Sequence, residues 1–83
     1  MNTMNFEKLV NDLVLPLVVH PEDMVVKTFS EEDDIIMIQV MVHAEDLGRV
    51  IGKKGRVINA VRTIAYACGA RHGKKIEISV DSF

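Results

Sequence analysis

Residues 52–55, Gly-Lys-Lys-Gly, interrupt a long helical pattern and constrain the fold more than any other feature of the sequence. Before them, a helix is predicted to start at residue 44. Its apolar side consists of Leu47, Val50 and Ile51. After them, a second helix carries apolar residues at helical spacing, namely Val57, Ile58, Val61, Ile64, Ala65 and Cys68. Since glycine at both ends lets the backbone turn sharply, the pattern predicts two helices joined by a tight loop with two lysine side chains at its tip.

A further amphipathic helix is predicted near the N-terminus. Its apolar stripe consists of Phe6, Leu9, Val10, Leu13, Val14, Leu17 and Val18. Asn2, Thr3 and Asn5 are its candidate N-caps. Because proline removes a helical hydrogen bond, Pro16 predicts either a kink or an end near Leu15.

Three strand patterns complete the predicted order α-β-β-α-α-β. The strands are expected at residues 24–30, 35–43 and 75–81. The polar residues 30–34 indicate a hairpin between the first two strands, and Gly69 and Gly73 are predicted to end the last helix. The third strand returns after a two-helix crossover, so we expect it to lie parallel to a neighbour with a right-handed connection.

These elements predict an α+β protein with a three-stranded mixed sheet that helices cover on one face. Alternation places Ile36, Ile38, Val40 and Val42 on the buried face. The open face carries Met37, Gln39 and Met41, an apolar patch that suggests a partner surface. The length of 83 residues predicts one domain, with an N-terminal helix and strand extension at 1–34 and a core at 35–83.

The composition excludes several function classes. The single cysteine, Cys68, predicts no internal disulfide and a reducing, cytoplasmic location. The longest apolar run, residues 13–19, is much shorter than the roughly 20 residues of a membrane span, and no secretory signal is visible. His20, His43 and His72 lack ligand spacing, so we expect no metal site, no cofactor and no enzymatic activity.

The charge distribution favours an anionic partner despite a net charge of −2. Residues 1–48 carry two basic and ten acidic side chains, whereas residues 49–83 carry eight basic and two acidic ones. The loop at 52–55 lacks both the dinucleotide fingerprint, which follows a strand, and the P-loop pattern. It still suits a phosphate chain, because glycines permit close approach and a helix N-terminus favours anions.

The residues around this loop resemble a known family. Residues 50–58, Val-Ile-Gly-Lys-Lys-Gly-Arg-Val-Ile, resemble the signature of the KH RNA-binding domain, and the element order resembles its type II arrangement. Residues 45–56 and 59–63 are similar to the KhpA family of small stand-alone bacterial KH proteins, as are residues 16–18 and 73–75. Ala44 departs from the family pattern, which has proline at this helix start.

The resemblance implies an RNA chaperone that binds single-stranded RNA with little sequence preference. It also implies homodimers, or heterodimers with a larger KH partner of the KhpB type (also called Jag or EloR), and a role in cell elongation and division. The candidate RNA-binding residues are Arg49, Ile51, Gly52, Lys53, Lys54, Gly55, Arg56, Ile58, Asn59 and Arg62.

Some of these residues have a second interpretation. Ile51 and Ile58 would form the apolar floor of a base-binding groove, or they pack in the core. Arg62 would extend the phosphate track, or it is an ordinary surface residue. The four aromatic residues are not beside the loop in sequence, so base stacking on a ring is not expected.

A competing hypothesis is a protein-interaction subunit whose KH fold serves dimerisation through the open sheet face and the first helix. The loop discriminates between the two hypotheses, because pairing alone requires no lysines between the two glycines.

Overall fold

The computed structural model describes residues 5–83 and has the predicted order of elements. The helices are α1 (Phe6–Val14), α2 (Ala44–Ile51) and α3 (Arg56–Arg71), and the strands are β1 (Val25–Glu32), β2 (Ile35–Val42) and β3 (Lys75–Ser82). Three short 3-10 turns lie at Leu15–Leu17, Pro21–Asp23 and Lys53–Gly55. Two of the candidate caps of α1, Asn2 and Thr3, lie outside the described residues.

Helix α1 begins and ends for the predicted reasons. The Asn5 side chain accepts a hydrogen bond of 2.9 Å from the Lys8 backbone N–H, which caps the first turn. Pro16 ends the α-helix rather than kinking it, because the chain passes into a 3-10 turn after Val14. The buried side of α1 packs against α3 and places Phe6 and Val10 in the core.

The sheet has the order β1-β2-β3. As predicted, β1 is antiparallel to β2 and β3 is parallel to a neighbour, which the structure shows to be β2. The inner face of β2 is buried beneath the helices through Ile36, Ile38, Val40 and Val42. On the open face Gln39 is exposed, and Met37 and Met41 are half-buried. The hairpin is tighter than expected, because β1 continues to Glu32 and the turn consists of Asp33 and Asp34 alone.

Helix α3 differs from the sequence prediction at two residues. Ile64 was expected on the buried stripe but is 46% exposed. Gly69 was expected to end the helix but lies inside it, where a Cβ would come within 2.7 Å of Ile76 Cγ1. Glycine is therefore required there by close packing of α3 on β3, and the helix ends before Gly73, whose φ is +71°.

Within residues 5–83, none of the helices combines the length and the apolar character that a membrane crossing requires.

Candidate nucleic-acid interface

The loop between α2 and α3 is a 3-10 turn in which most residues have left-handed backbone angles. Gly52 has a φ of +77°, Lys54 of +57° and Gly55 of +75°. The Gly52 N–H donates to the Gly48 carbonyl at 2.8 Å, and the Gly55 N–H donates to the Gly52 carbonyl at 3.1 Å. These bonds close α2 and hold the turn, so the loop is a fixed joint.

Gly52 cannot carry a side chain in this joint. A Cβ built there would lie 2.4 Å from Val57 Cγ2 and 2.8 Å from the Val57 backbone nitrogen. Gly55 differs, since the nearest atom to its Cβ would be Asn59 Nδ2 at 3.6 Å. The first glycine thus allows close contact between α2 and α3, whereas the second supplies only a left-handed residue.

The N-terminus of α3 faces this joint without a side-chain cap. Gly55 occupies the cap position and offers no side-chain cap, while the Arg56 backbone N–H donates to the Lys53 carbonyl. Lys53, Lys54 and Arg56 are exposed and form no ion pair within the part of the chain that the structure describes. A helix N-terminus without a side-chain cap, its dipole and three cations therefore lie together at one anion-binding surface.

The two remaining predicted arginines are held by the protein itself. Arg49 Nη1 donates to the Glu45 carbonyl at 2.8 Å and to Asp46 Oδ1 at 3.2 Å. Arg62 Nη2 donates to the Ile78 carbonyl at 3.0 Å and so lies between α3 and β3. Each guanidinium retains further donors, but its position is fixed by these contacts.

The predicted apolar residues separate into two environments. Ile58 is 4% exposed and belongs to the core cluster, which favours the packing interpretation for this residue. Ile51 is half-buried at the end of α2, packed against the same core. Asn59 is exposed one turn into α3, with its Oδ1 3.4 Å from Arg62 Nη1.

Asp46 is a structural residue of this site that sequence reasoning missed. It is 0% exposed and accepts backbone N–H bonds from Val19 at 3.0 Å and His20 at 2.9 Å. Burial opposes its ionisation, but these bonds and the charges of His20 and Arg49 outweigh burial and lower the pKa of Asp46. Asp46 thus ties the segment before β1 to the helix that leads into the loop.

His20, His43 and Glu45 lie together, which their sequence spacing did not indicate. Ligand atoms of the three lie within 4.8 Å of one another. The imidazole rings are stacked at 4.0 Å and 22°, so their lone pairs do not converge on one point. Hydrogen bonds account for the cluster: His43 Nδ1 accepts from the Glu45 N–H at 3.0 Å, and His20 Nε2 lies 2.8 Å from Glu45 Oε1. The absence of a metal remains a prediction.

The fold and the loop together define the class. Three helices and a three-stranded mixed sheet, with a Gly-x-x-Gly turn between the second and third helices, form a type II KH domain. The family model described as "KhpA/KhpB, KH domain" matches residues 7–80, and the chain belongs to this family. The prediction of family and fold is therefore confirmed.

Curated relatives agree with this assignment. The RNA-binding protein KhpA of Listeria monocytogenes is 46% identical over 74 residues, which span 89% of this chain and 96% of the relative. The protein of the same name from Bacillus subtilis is 39% identical over 81 residues, 96% of this chain and 98% of the relative. The RNA-binding protein KhpA of Clostridium perfringens is 36% identical over 74 residues, which span 89% of this chain and 97% of the relative. The family consists of KH proteins and is not an enzyme family, as the sequence analysis predicted.

Proposed function

We propose that this protein binds RNA and that its Gly-Lys-Lys-Gly joint clamps the backbone of single-stranded RNA. The observation that carries the proposal is the convergence of Lys53, Lys54 and Arg56 on the uncapped N-terminus of α3. A phosphate there would accept backbone N–H bonds and meet positive charge on several sides. The names of the relatives, RNA-binding protein KhpA, support the same ligand class.

The bases would lie along α3 and the free edge of β3. Arg62 spans this boundary through its bond to the Ile78 carbonyl, and Asn59 adds an exposed amide one turn closer to the loop. Arg49 would contact phosphate with the donors that Asp46 and Glu45 leave available. The clamp would hold roughly four nucleotides with little sequence preference, since its donors point at phosphate.

From the resemblance of the sequence to the KhpA family, we further propose a wider role as an RNA chaperone in the cytoplasm. We propose that residues 1–83 act as one domain, alone or with a larger KH partner of the KhpB type, in post-transcriptional control of cell elongation and division. Association would raise the affinity of a single small clamp through avidity.

A dimerisation subunit is the second candidate function, and the open sheet face favours it. Phe29 is 59% exposed on β1, beside the half-buried Met37 of β2. Such a patch on a small protein is typical of a protein contact surface. A Phe29→Ser variant that became monomeric while retaining RNA binding would assign the two functions to different surfaces.

Charge reversal in the loop tests the RNA clamp. The Lys53→Asp/Lys54→Asp variant is expected to lose at least tenfold in affinity for a mixed-sequence single-stranded RNA, because two phosphate contacts become repulsive. Its circular dichroism and melting temperature are expected to stay near wild type, since both side chains are exposed. A control of equal charge change is Lys8→Asp/Lys27→Asp, two exposed lysines on α1 and β1. Unchanged RNA binding in the double variant would contradict the proposal.

A further inference from the structure

A depression in the surface lies between the last two turns of α3 and the start of β3. It has a volume of about 460 Å³ and is lined by Tyr66, Ala70, Lys74, Lys75, Ile76 and Glu77. Tyr66 is 43% exposed although it belongs to a helix that packs on the sheet. The depression therefore presents an aromatic ring to solvent, with lysines at its border.

This depression continues the face of α3 that carries the RNA clamp. Asn59, Arg62, Tyr66 and Ala70 follow one another at helical spacings of three, four and four residues, so they line one side of α3. Arg62 contacts Ile78, and Gly69 packs on Ile76, which shows that α3 runs opposite to β3. An RNA strand that leaves the loop at residues 52–55 and follows this side of α3 would meet Arg62 first and Tyr66 one turn later.

The edge of the sheet at this point is available to a ligand. β3 pairs with β2 on one side, and within residues 5–83 no strand pairs with its other side. Lys75 is exposed there, whereas Lys74 forms an ion pair of 2.9 Å with Asp34. Glu77 repels phosphate but accepts hydrogen bonds from a base amino group or a ribose hydroxyl. These groups suit a nucleoside better than a bare anion.

We infer that the Tyr66 depression is a second nucleotide site, which holds a base of the same RNA strand after it leaves the clamp. The inference rests on the proposed function. Tyr66 lies about 15 Å along α3 from Arg56 at 1.5 Å per residue, whereas four stacked nucleotides span about 10 Å. The base stacks on the tyrosine ring, Lys75 faces the adjoining phosphate, and the clamp supplies the neighbouring contacts.

The chain offers a direct probe of this site, because it contains one tyrosine and no tryptophan. Intrinsic fluorescence therefore reports on Tyr66 alone. A mixed-sequence RNA octanucleotide is expected to quench this fluorescence on binding, whereas a tetranucleotide is expected to bind the clamp and leave it nearly unchanged. N-acetyltyrosinamide mixed with the same RNA corrects for absorption by the bases.

Variants separate the aromatic ring from the fold. Tyr66→Ala is expected to weaken octanucleotide binding by roughly 5- to 100-fold, the range for one stacked base, and to leave the tetranucleotide affinity unchanged. Tyr66→Phe keeps the ring and is expected to bind the octanucleotide within about twofold of wild type. Ile64→Ala removes a similarly exposed apolar side chain, 46% against 43%, from the opposite side of α3 and serves as the control.

The outcomes distinguish this inference from the proposed function. If the octanucleotide binds without changing the tyrosine fluorescence, or if the tetranucleotide quenches it equally, the second site is overturned while the clamp stands. If wild-type protein binds neither oligonucleotide, the proposed function fails and the second site fails with it.

Discussion

The Gly-Lys-Lys-Gly joint and the tip of the β1-β2 hairpin use the same backbone solution with opposite consequences. Both turns are short, charged and built from left-handed residues, since Asp33 and Asp34 have φ values of +52° and +64°. At the hairpin, Asp34 forms an ion pair with Lys74, and the turn serves only to join two strands. At the joint, Lys53 and Lys54 lack such partners within residues 5–83 and adjoin an uncapped helix.

The comparison teaches that backbone conformation alone does not mark a site. Many tight turns require a positive φ, and glycine, asparagine and aspartate all tolerate it. What distinguishes the joint is that its two lysines have no ion-pair partner within residues 5–83 and adjoin a helix N-terminus without a side-chain cap. Four predictions sharpen this contrast, from the largest expected effect to the smallest.

The first prediction compares a glycine at the joint with an aspartate at the hairpin. Gly52→Ala is expected to lower the free energy of unfolding by about 2–4 kcal/mol, because the new Cβ meets Val57 and φ is +77°. Asp33→Gly is expected to be neutral or slightly stabilising, since glycine adopts φ of +52° without strain. Urea denaturation measures both. Equal destabilisation of the two variants would show that the turns do not differ in packing.

The second prediction compares the buried carboxylate of Asp46, which supports the joint, with the exposed carboxylate of Asp34 in the hairpin turn. Asp46→Ala leaves the backbone N–H groups of Val19 and His20 without their acceptor, and we expect the melting temperature to fall by roughly 10 °C. Lys74→Ala breaks only an ion pair with the exposed Asp34, and we expect a fall of about 2 °C or less. Similar falls in a thermal melt would contradict the assignment of Asp46 as the buried support of the loop.

The third prediction is a pH dependence. The hydrogen bond to Glu45 raises the pKa of His20; burial opposes this, and the charges of Asp46, Glu45 and Glu22 add to it. A raised pKa means that the stabilisation is complete below the ordinary value of about 6.5 and is lost as the pH rises through the folded-state pKa. The melting temperature of wild type should therefore fall as the pH rises above about 6.5. His20→Gln should show a smaller fall, and an equal fall would contradict this role for His20.

The fourth prediction applies the same reasoning to Asp46 in acid. Because its pKa lies below the ordinary value, its stabilisation is present above about pH 4 and is lost as the pH falls further through the folded-state pKa. Acid titration followed by circular dichroism should show unfolding in that range. Asp46→Asn should retain less of this pH dependence than wild type, and an identical profile would contradict the role given to Asp46.

The fold and the loop were predictable from sequence because they depend on local patterns. The alternation in β2 indicated which of its side chains are buried, and two glycines between two apolar helical stripes marked the joint. Asp46 was not predictable, since its partners Val19 and His20 are 27 and 26 residues away in the chain. In sequence it looks like an ordinary acidic residue of a first helical turn.

Gly69 and Tyr66 were missed for a related reason. The pattern of α3 gives its period but not which turns press closely on β3, so a packing glycine was interpreted as a helix end. Tyr66 is eleven residues from Gly55 and was not considered beside the loop. Helical spacing places Tyr66 on the same side of α3 as Arg62, but only the packing of α3 against β3 shows that this side meets the edge of the sheet.

The most direct test of the clamp is the salt dependence of RNA affinity in wild type and in Lys53→Asp/Lys54→Asp. Contact with two to four phosphates predicts a log–log slope of roughly −1.5 to −3 for wild type, and the variant should bind weakly with a slope shallower by about 1.4. The same slope and affinity in a correctly folded variant would show that RNA is bound elsewhere and would contradict the central claim.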